Sequence, residues 1–351
     1  MKTNRFVSID AARGLAMLFM LVNHAAWRIP DVNFGANYGW ILGTPIATYD
    51  AAGWVNLLQG TPIFMLLSGC GVALFEAARR RGGWSEQQIT RYFLIRGGVL
   101  IGLDLLIVPW VLHYPVLIWE SKFFTLTCIG LCLWALAILR RVPTRRLLSF
   151  AAITFIGCQI IYQLAVPTDS NLLRSLLFYP SPADYIAVGF PVFAWLPVVI
   201  LGYTSGRFII RHPGHFKPHT LQLGTAGLIV WAFVTAGDGF GRLYHGHALI
   251  MAKHPPDLVY MGFNIGCTYL ILTVLHRLPK IPLLATLGQN ALIFYIVHWY
   301  VLMLMTSLLS VAVSGTYLYL AVCVLGLLIL YPLCILYRAY RQRHPRILQY
   351  L

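Results

Sequence analysis

The stretch DAARGLAMLFMLVNHAAW, residues 10–27, is long and apolar enough to help cross a membrane, yet it carries Asp10, Arg13 and His24. An ionisable group at bilayer depth costs roughly 2.5–3.5 kcal/mol on insertion scales, so three in one span require a reason. Eleven residues separate Arg13 from His24, which puts both on one helical face about 16 Å apart along the axis. Asp10 lies one turn from Arg13 and offsets its charge, although the same pair also reads as a topogenic cap at the interface. His24 has no such partner in its own helix. An imidazole with an ordinary pKa of about 6.5 is a base at neutral pH. Two further ionisable groups fall inside apolar runs: Asp104 in LIGLDLLIVPW and His298 in ALIFYIVHWYVL. Buried groups of this kind face a bundle interior or a water-filled cavity. The chemistry they suit is proton abstraction by His24, with Asp104 or Asn23 orienting its ring.

These residues need a membrane-embedded frame, and the composition supplies one. Of 351 residues, 59% are hydrophobic and only 11% charged, with a mean hydropathy of +0.72, where a soluble domain carries about 25% charged residues. The expected fold is an all-α polytopic membrane protein, a single domain over residues 1–351. Ten apolar segments of spanning length fall near residues 6–28, 54–77, 92–113, 122–139, 147–166, 186–209, 220–237, 257–276, 284–308 and 316–338. Alternate loops hold 20 of the 26 Lys and Arg residues, including the Arg79-Arg80-Arg81 run and the pairs Arg140-Arg141 and Arg145-Arg146. By the positive-inside rule this places both termini in the cytoplasm and the protein in the cytoplasmic (inner) membrane. Lys2 and Arg5 ahead of a run broken by Asp10 and Arg13 read as an uncleaved signal anchor. The net charge of +15 is thus topogenic, and no nucleic-acid partner is expected.

The seven cysteines lie in apolar stretches without a CxxC pair and read as packing residues. On the outer side the loops carry Asp50, Asp184, Lys253 and His254, which would bind a polar substrate. HGHALIMAKHPPD holds His245, His247, His254 and Asp257 but matches no ligand spacing, so no metal is expected. Gly98/Gly102 and Gly202/Gly206 are spaced for close helix contact. GTPIFMLLSGCGVALF and GFPVFAWLPVVILGYTSG, in the second and sixth spans, hint at a parallel repeat. The arginine clusters suit a polyphosphate as well as topology.

RFVSIDAARGLAMLFMLVNH resembles the start of the transmembrane acyltransferase superfamily, in particular the bacterial relatives of the heparan-α-glucosaminide N-acetyltransferase catalytic domain. The Arg13-x10-His24 spacing is similar to the first-helix signature of membrane acyltransferase family three. TPIFMLLSGCGVAL, FPVFAWLPVVILGYTSGR, AKHPPDLVYMGFNIG and LGQNALIFYIVHWYVL extend the resemblance along most of the chain. Heparan-type enzymes place a histidine between spans one and two. Here ANYGWILGTPIATYDAAGW has none, so the catalytic role passes to His24. The resemblance implies an acyl donor, acetyl-CoA, bound from the cytoplasm by Arg13, Arg80, Arg91 and Arg96. It also implies an acceptor hydroxyl or amine on a sugar or glycoconjugate, met at the outer side. His24, Asp104 and Asn23 would be catalytic. His298, with Asp184, Lys253, His254 and Asp50, would bind the acceptor or the developing oxyanion. Either direct attack or an acyl-histidine intermediate would complete the transfer.

A proton-coupled secondary transporter also uses buried Asp, Arg and His. It predicts inverted repeats with broken helices, whereas Pro62, Pro191 and Pro197 interrupt two spans of the same orientation. A non-catalytic receptor gives Asp104 and His298 no purpose. Beyond the bilayer, the donor and the acceptor, a homodimer is a possible partner.

Overall fold

The computed structural model describes residues 7–29, 60–107, 121–164, 171–178, 181–182, 186–237, 256–344 and 350. Ten long helices occupy the ten expected spans: α1 (Val7–Arg28), α2 (Gly60–Arg81), α3 (Glu86–Leu106), α4 (Thr125–Leu139), α5 (Thr144–Leu164), α7 (Val192–Arg211), α8 (Phe216–Gly237), α9 (Leu258–Arg277), α11 (Ala291–Leu309) and α12 (Gly315–Arg343). Two short helices, α6 (Leu172–Leu177) and α10 (Pro282–Gln289), complete the described set. Seven of the ten are long and apolar enough to cross a membrane on length and composition. The other three are α1, with Asp10 and Arg13; α3, with Glu86, Arg91, Arg96 and Asp104; and α4, with only 15 residues. Those three carry or adjoin the ionisable groups singled out above.

The ninth span differs from a single helix. It is broken at Asn290 (φ −119°, ψ 27°) into α10 and α11, with the Asn290 side-chain amide donating to the Thr286 carbonyl at 2.8 Å. A side-chain donor thereby takes up a carbonyl near the end of α10, as a helix end inside a bundle requires. The fold is also not purely helical among the described residues. β1 (Ser121–Phe123) pairs in parallel with β3 (Ile186–Val188), and β3 pairs antiparallel with β2 (Ser181–Pro182). These strands lead into α4 and α7, and the ladder lets two loop entries satisfy each other's backbone groups.

Helix α1 sits among α2, α9, α10, α11 and α12. Its contact with α10 is backbone on backbone: a Cβ at Gly14 would overlap the Leu284 carbonyl, and one at Gly288 the Asp10 carbonyl. Helices α2 and α7, the spans of the suspected repeat, run parallel and touch through Gly69 against Val199 and Gly202 against Leu66. Gly202 and Gly206 therefore act as expected, but the pair on α3 does not. Gly97 meets Gly130 of α4, while Gly102 has open space around it. The sequence spacing marked the right helix and the wrong face.

One end of the bundle is tied by buried charge. Arg140, fully buried at the C-cap of α4, donates from Nη1 to Glu76 Oε1 at 2.8 Å and Glu86 Oε2 at 2.6 Å, and from Nη2 to the Glu86 carbonyl and Thr90 Oγ1. Arg80 reaches the same two carboxylates at 2.7 and 2.9 Å, and Tyr203 donates to Glu76 Oε2 at 2.7 Å. Burial works to raise the Glu86 pKa, but the Arg140 hydrogen bond and the charges of Arg140, Arg80 and Arg141 outweigh it and hold the carboxyl below its ordinary value.

Replacing Arg140 by Met leaves Glu76 buried without its deepest cation, and a loss of about 3–5 kcal/mol is expected, read as a large fall in thermal unfolding temperature in detergent. Because the folded Glu86 pKa is depressed, its stabilisation is present above the unfolded value of 4.5 and is lost as pH falls through the folded one. The unfolding temperatures of wild type and Glu86→Gln should therefore differ at pH 7 and converge as acidification passes below the depressed folded value.

Candidate functional site

A cavity of about 620 Å³ runs between α1, α2, α3, α4, α11 and α12, within the ~300–1,000 Å³ usual for small-molecule sites. Its wall on α2 is the stripe Phe64, Ser68, Gly71, Val72, Phe75 and Arg79. Fifteen residues of helix make that stripe about 22 Å long, so the cavity follows most of a membrane-spanning helix. At one end it carries Arg79, Arg96 and Arg341, and further in Arg13; Asp10 is the carboxylate among the lining residues. The middle is apolar, with Leu100, Leu126, Ile129 and Leu133, and the far part includes Thr125 and Tyr295.

The arginines are held by what surrounds them. Arg79 lies over Trp84 and Phe75, 4.3 and 5.0 Å from the ring centroids, while Tyr92 stacks on Phe75 at 4.2 Å. Arg96 donates to the Tyr350 carbonyl at 3.0 Å. Arg13 donates to the Leu67 carbonyl at 2.8 Å and lies 3.9 Å from Asp10, the pairing expected from their spacing. Asp10 also accepts from Gln289 at 3.3 Å, across to the end of α10. Gly71 leaves the room that the Arg13 guanidinium occupies, since a Cβ there would come within 2.5 Å of it. The first turn of α11, Ala291–Ile293, also lines the cavity, and there the backbone N–H groups have no partner within the helix. Beside them Asn290 Oδ1 is buried without a hydrogen-bond partner among the described residues.

One turn beyond Tyr295, α11 presents His298, fully buried, and α1 presents His24. Their Nε2 and Nδ1 atoms are 2.8 Å apart. His298 Nδ1 faces its own helix, 2.6 Å from the Tyr295 carbonyl and 3.2 Å from that of Phe294. Trp299 stacks on the His24 ring at 4.2 Å and 18°. The two histidines singled out from separate spans, 274 residues apart, thus form one unit.

The remaining expectations are distributed differently. Asp104 is fully buried, and its Oδ2 accepts the backbone N–H groups of Phe124 and Thr127, each at 2.8 Å. Phe124 stands at the N-cap of α4 and has no side chain able to cap, so a neighbouring helix supplies the carboxylate. Asp104 thus organises the α4 N-terminus and makes no hydrogen bond to His24. Asn23 is buried with its Oδ1 unpartnered and does not bond to His24 either. Arg13 and Arg96 line the cavity, whereas Arg80 belongs to the Glu76–Arg140 cluster and Arg91 is exposed on another face of α3. Asp50, Asp184, Lys253 and His254 lie outside the described residues. Asp257, from the histidine-rich stretch, caps α9 by accepting from the Tyr260 N–H at 2.7 Å.

Arg341, Tyr92 and Gln289 are cavity residues the sequence did not single out, and from the Arg79-Arg80-Arg81 run it is Arg79, not Arg80, that lines the cavity. A helical signal existed for Arg79: it continues the Ser68, Val72, Phe75 face, from which Arg80 is turned by about 100°. Tyr92, Arg96 and Leu100 repeat at four residues on α3 in the same way, and Arg91 falls outside that row.

A family profile described as heparan-alpha-glucosaminide N-acetyltransferase, catalytic, matches residues 5–239 of the chain. That interval includes α1 to α8 and His24, and ends before α11 and His298. No curated protein matches the chain.

If Asp104 serves α4 rather than the chemistry, Asp104→Asn, which keeps an acceptor oxygen, should leave turnover per folded molecule within about threefold. Asp104→Leu should lose about 2 kcal/mol or more by removing a buried cap. Yield and thermal unfolding, measured beside specific activity, separate the two roles.

Proposed function

The chain belongs to the heparan-α-glucosaminide N-acetyltransferase catalytic family, and from that premise we propose that this membrane acyltransferase moves an acetyl group from acetyl-CoA to a hydroxyl or amine of a sugar or glycoconjugate. The observation that carries the reading is the long cavity, cationic at one end and bounded elsewhere by Tyr295, one turn of α11 before the His298 that meets His24. Arg79, Arg96 and Arg341 suit the phosphates of the donor, because guanidinium forks bind phosphate oxygens in pairs. The apolar middle suits a pantetheine arm. Its amides match the polar atoms of the α10–α11 break: the α11 N–H groups would donate to an amide carbonyl, and Asn290 Oδ1 would accept an amide N–H. Arg13, pinned between Asp10 and Leu67, adds positive potential along the path.

In the chemical step the acceptor's heteroatom attacks the thioester carbonyl while His24 takes its proton. The carbon–sulfur bond then breaks, the thiolate leaves, and His24 returns the proton to it, so that acetylated acceptor and CoA are the products. Basic residues concentrate on the loops at the donor end, which by the positive-inside rule makes that end cytoplasmic along with both termini. The acceptor would then be met at the opposite face of the cytoplasmic membrane. Membership in a transferase family favours this reading over proton-coupled transport.

Inside-out vesicles preloaded with glucosamine should transfer labelled acetyl from acetyl-CoA when they contain wild type. His24→Ala should lower the rate by about 100-fold or more while acetyl-CoA still stabilises it against heat. Equal transfer by both proteins would remove His24 from the chemistry. An Arg79→Gln/Arg341→Gln variant should weaken acetyl-CoA binding by about tenfold or more, as loss of charge-assisted hydrogen bonds implies, and show a smaller ligand-induced thermal shift. An unchanged shift would exclude that end of the cavity as the phosphate site.

A further inference from the structure

We infer that His298 is a positioning residue that fixes the tautomer of His24 and thereby selects Nε2 of His24 as the nitrogen that receives the acceptor's proton. His298 Nδ1 lies 2.6 Å from the Tyr295 carbonyl oxygen and 3.2 Å from that of Phe294. Carbonyl oxygens only accept, so Nδ1 of His298 carries a hydrogen. His298 is fully buried inside an apolar bundle, where the neutral ring is the form a membrane tolerates. Its Nε2 is therefore a bare acceptor. The atom 2.8 Å from it is Nδ1 of His24, which must then be the donor. A neutral His24 protonated on Nδ1 has its lone pair on Nε2.

Each link is mechanically fixed. The carbonyls that hold His298 belong to its own helix, three and four residues back, so the ring does not turn without losing both. The His24 ring is held flat against Trp299, with centroids 4.2 Å apart and planes at 18°. That contact resists the ring flip that would take Nδ1 away from His298. When His24 gains a proton at Nε2 it keeps the Nδ1 hydrogen, and the bond to His298 becomes charge-assisted without any rearrangement. The same 2.8 Å contact thus sets the resting base and stabilises the imidazolium that follows. A carboxylate is not needed for this. The role replaces acceptor binding as the function of His298 and takes the place envisaged for Asp104 or Asn23.

The chemical consequence rests on the acyl-transfer reading; the tautomer does not, and the test separates them. Protein labelled with ¹⁵N-histidine, in detergent at neutral pH, should show His24 with a protonated Nδ1 and a bare Nε2, the signals being assigned by difference from His24→Gln. In His298→Leu that preference should collapse. A wild-type His24 protonated at Nε2 would overturn the inference without reference to any variant. In turnover, His298→Gln, whose side-chain oxygen accepts from His24 Nδ1, should retain kcat within about tenfold. His298→Leu should lose about 100-fold or more, with KM for acetyl-CoA unchanged in both. Equal losses in the two variants, with the His24 tautomer intact in His298→Leu, would make His298 merely structural and overturn the assignment. A wild type with the expected tautomer and no transfer to any acceptor would sink the acyl-transfer reading and leave the tautomer assignment standing.

Discussion

The contact on which the site depends is the backbone approach of α1 to α10. Gly14 lies against Leu284 and Gly288 against Asp10, with no side chain between the two helices. Because α10 passes into α11 at the Asn290 break, the register of α1 against α10 also sets the height of α11 beside α1. Ten residues separate Gly14 from His24 and Gly288 from His298, so the two histidines leave a common reference by equal lengths of chain. A larger residue at either glycine would push the helices apart, and a hydrogen bond of 2.8 Å does not survive such a shift.

Around that contact the polar groups are arranged so that each has neighbours at its own depth. Asp10, Arg13 and Gln289 share one level, the histidines another, and Asp104 a third at the head of α4. This arrangement offsets the desolvation that isolated charges would suffer. Asp10, Arg13 and Gln289 also line the cavity, so groups that stabilise the bundle shape its wall as well. The Glu76–Arg140–Glu86–Arg80 cluster stands apart from the cavity and joins α2, α3 and α4 at their common end.

Much of this was legible in the sequence because hydropathy and charge alternate on the scale of whole helices. The ten spans, the Asp10–Arg13 pair and the placing of His24 and His298 within apolar helices came from counting and from the cost of ionisable groups in apolar surroundings. What was not legible depended on rotation about a helix axis or on a partner far along the chain. Arg80 and Arg79 are neighbours in sequence, yet one enters an ion cluster and the other the cavity. Asp104 was read as chemistry because a buried carboxylate in a span is costly, but its partners are backbone amides twenty and more residues away, and amides carry no signature in a sequence. The Asn290 break had a weak local sign in the Gln-Asn pair, masked by strong apolar runs on both sides. The meeting of His24 with His298 follows from packing, which one-dimensional periodicity does not contain.

The placement of α1 also bears on how the chain is made. It is synthesised well before α10 and α11, which supply Gly288, Gln289 and His298 to it after more than two hundred intervening residues. As α1 enters the bilayer its Asp10–Arg13 pair is internal to the helix, and the Leu67 carbonyl reaches Arg13 once α2 follows. For much of biosynthesis the polar face of α1 therefore still awaits Gln289 at Asp10 and His298 at His24. Truncated or prematurely terminated chains would expose that face within the membrane, which makes α1 a point at which quality control could distinguish finished molecules from unfinished ones.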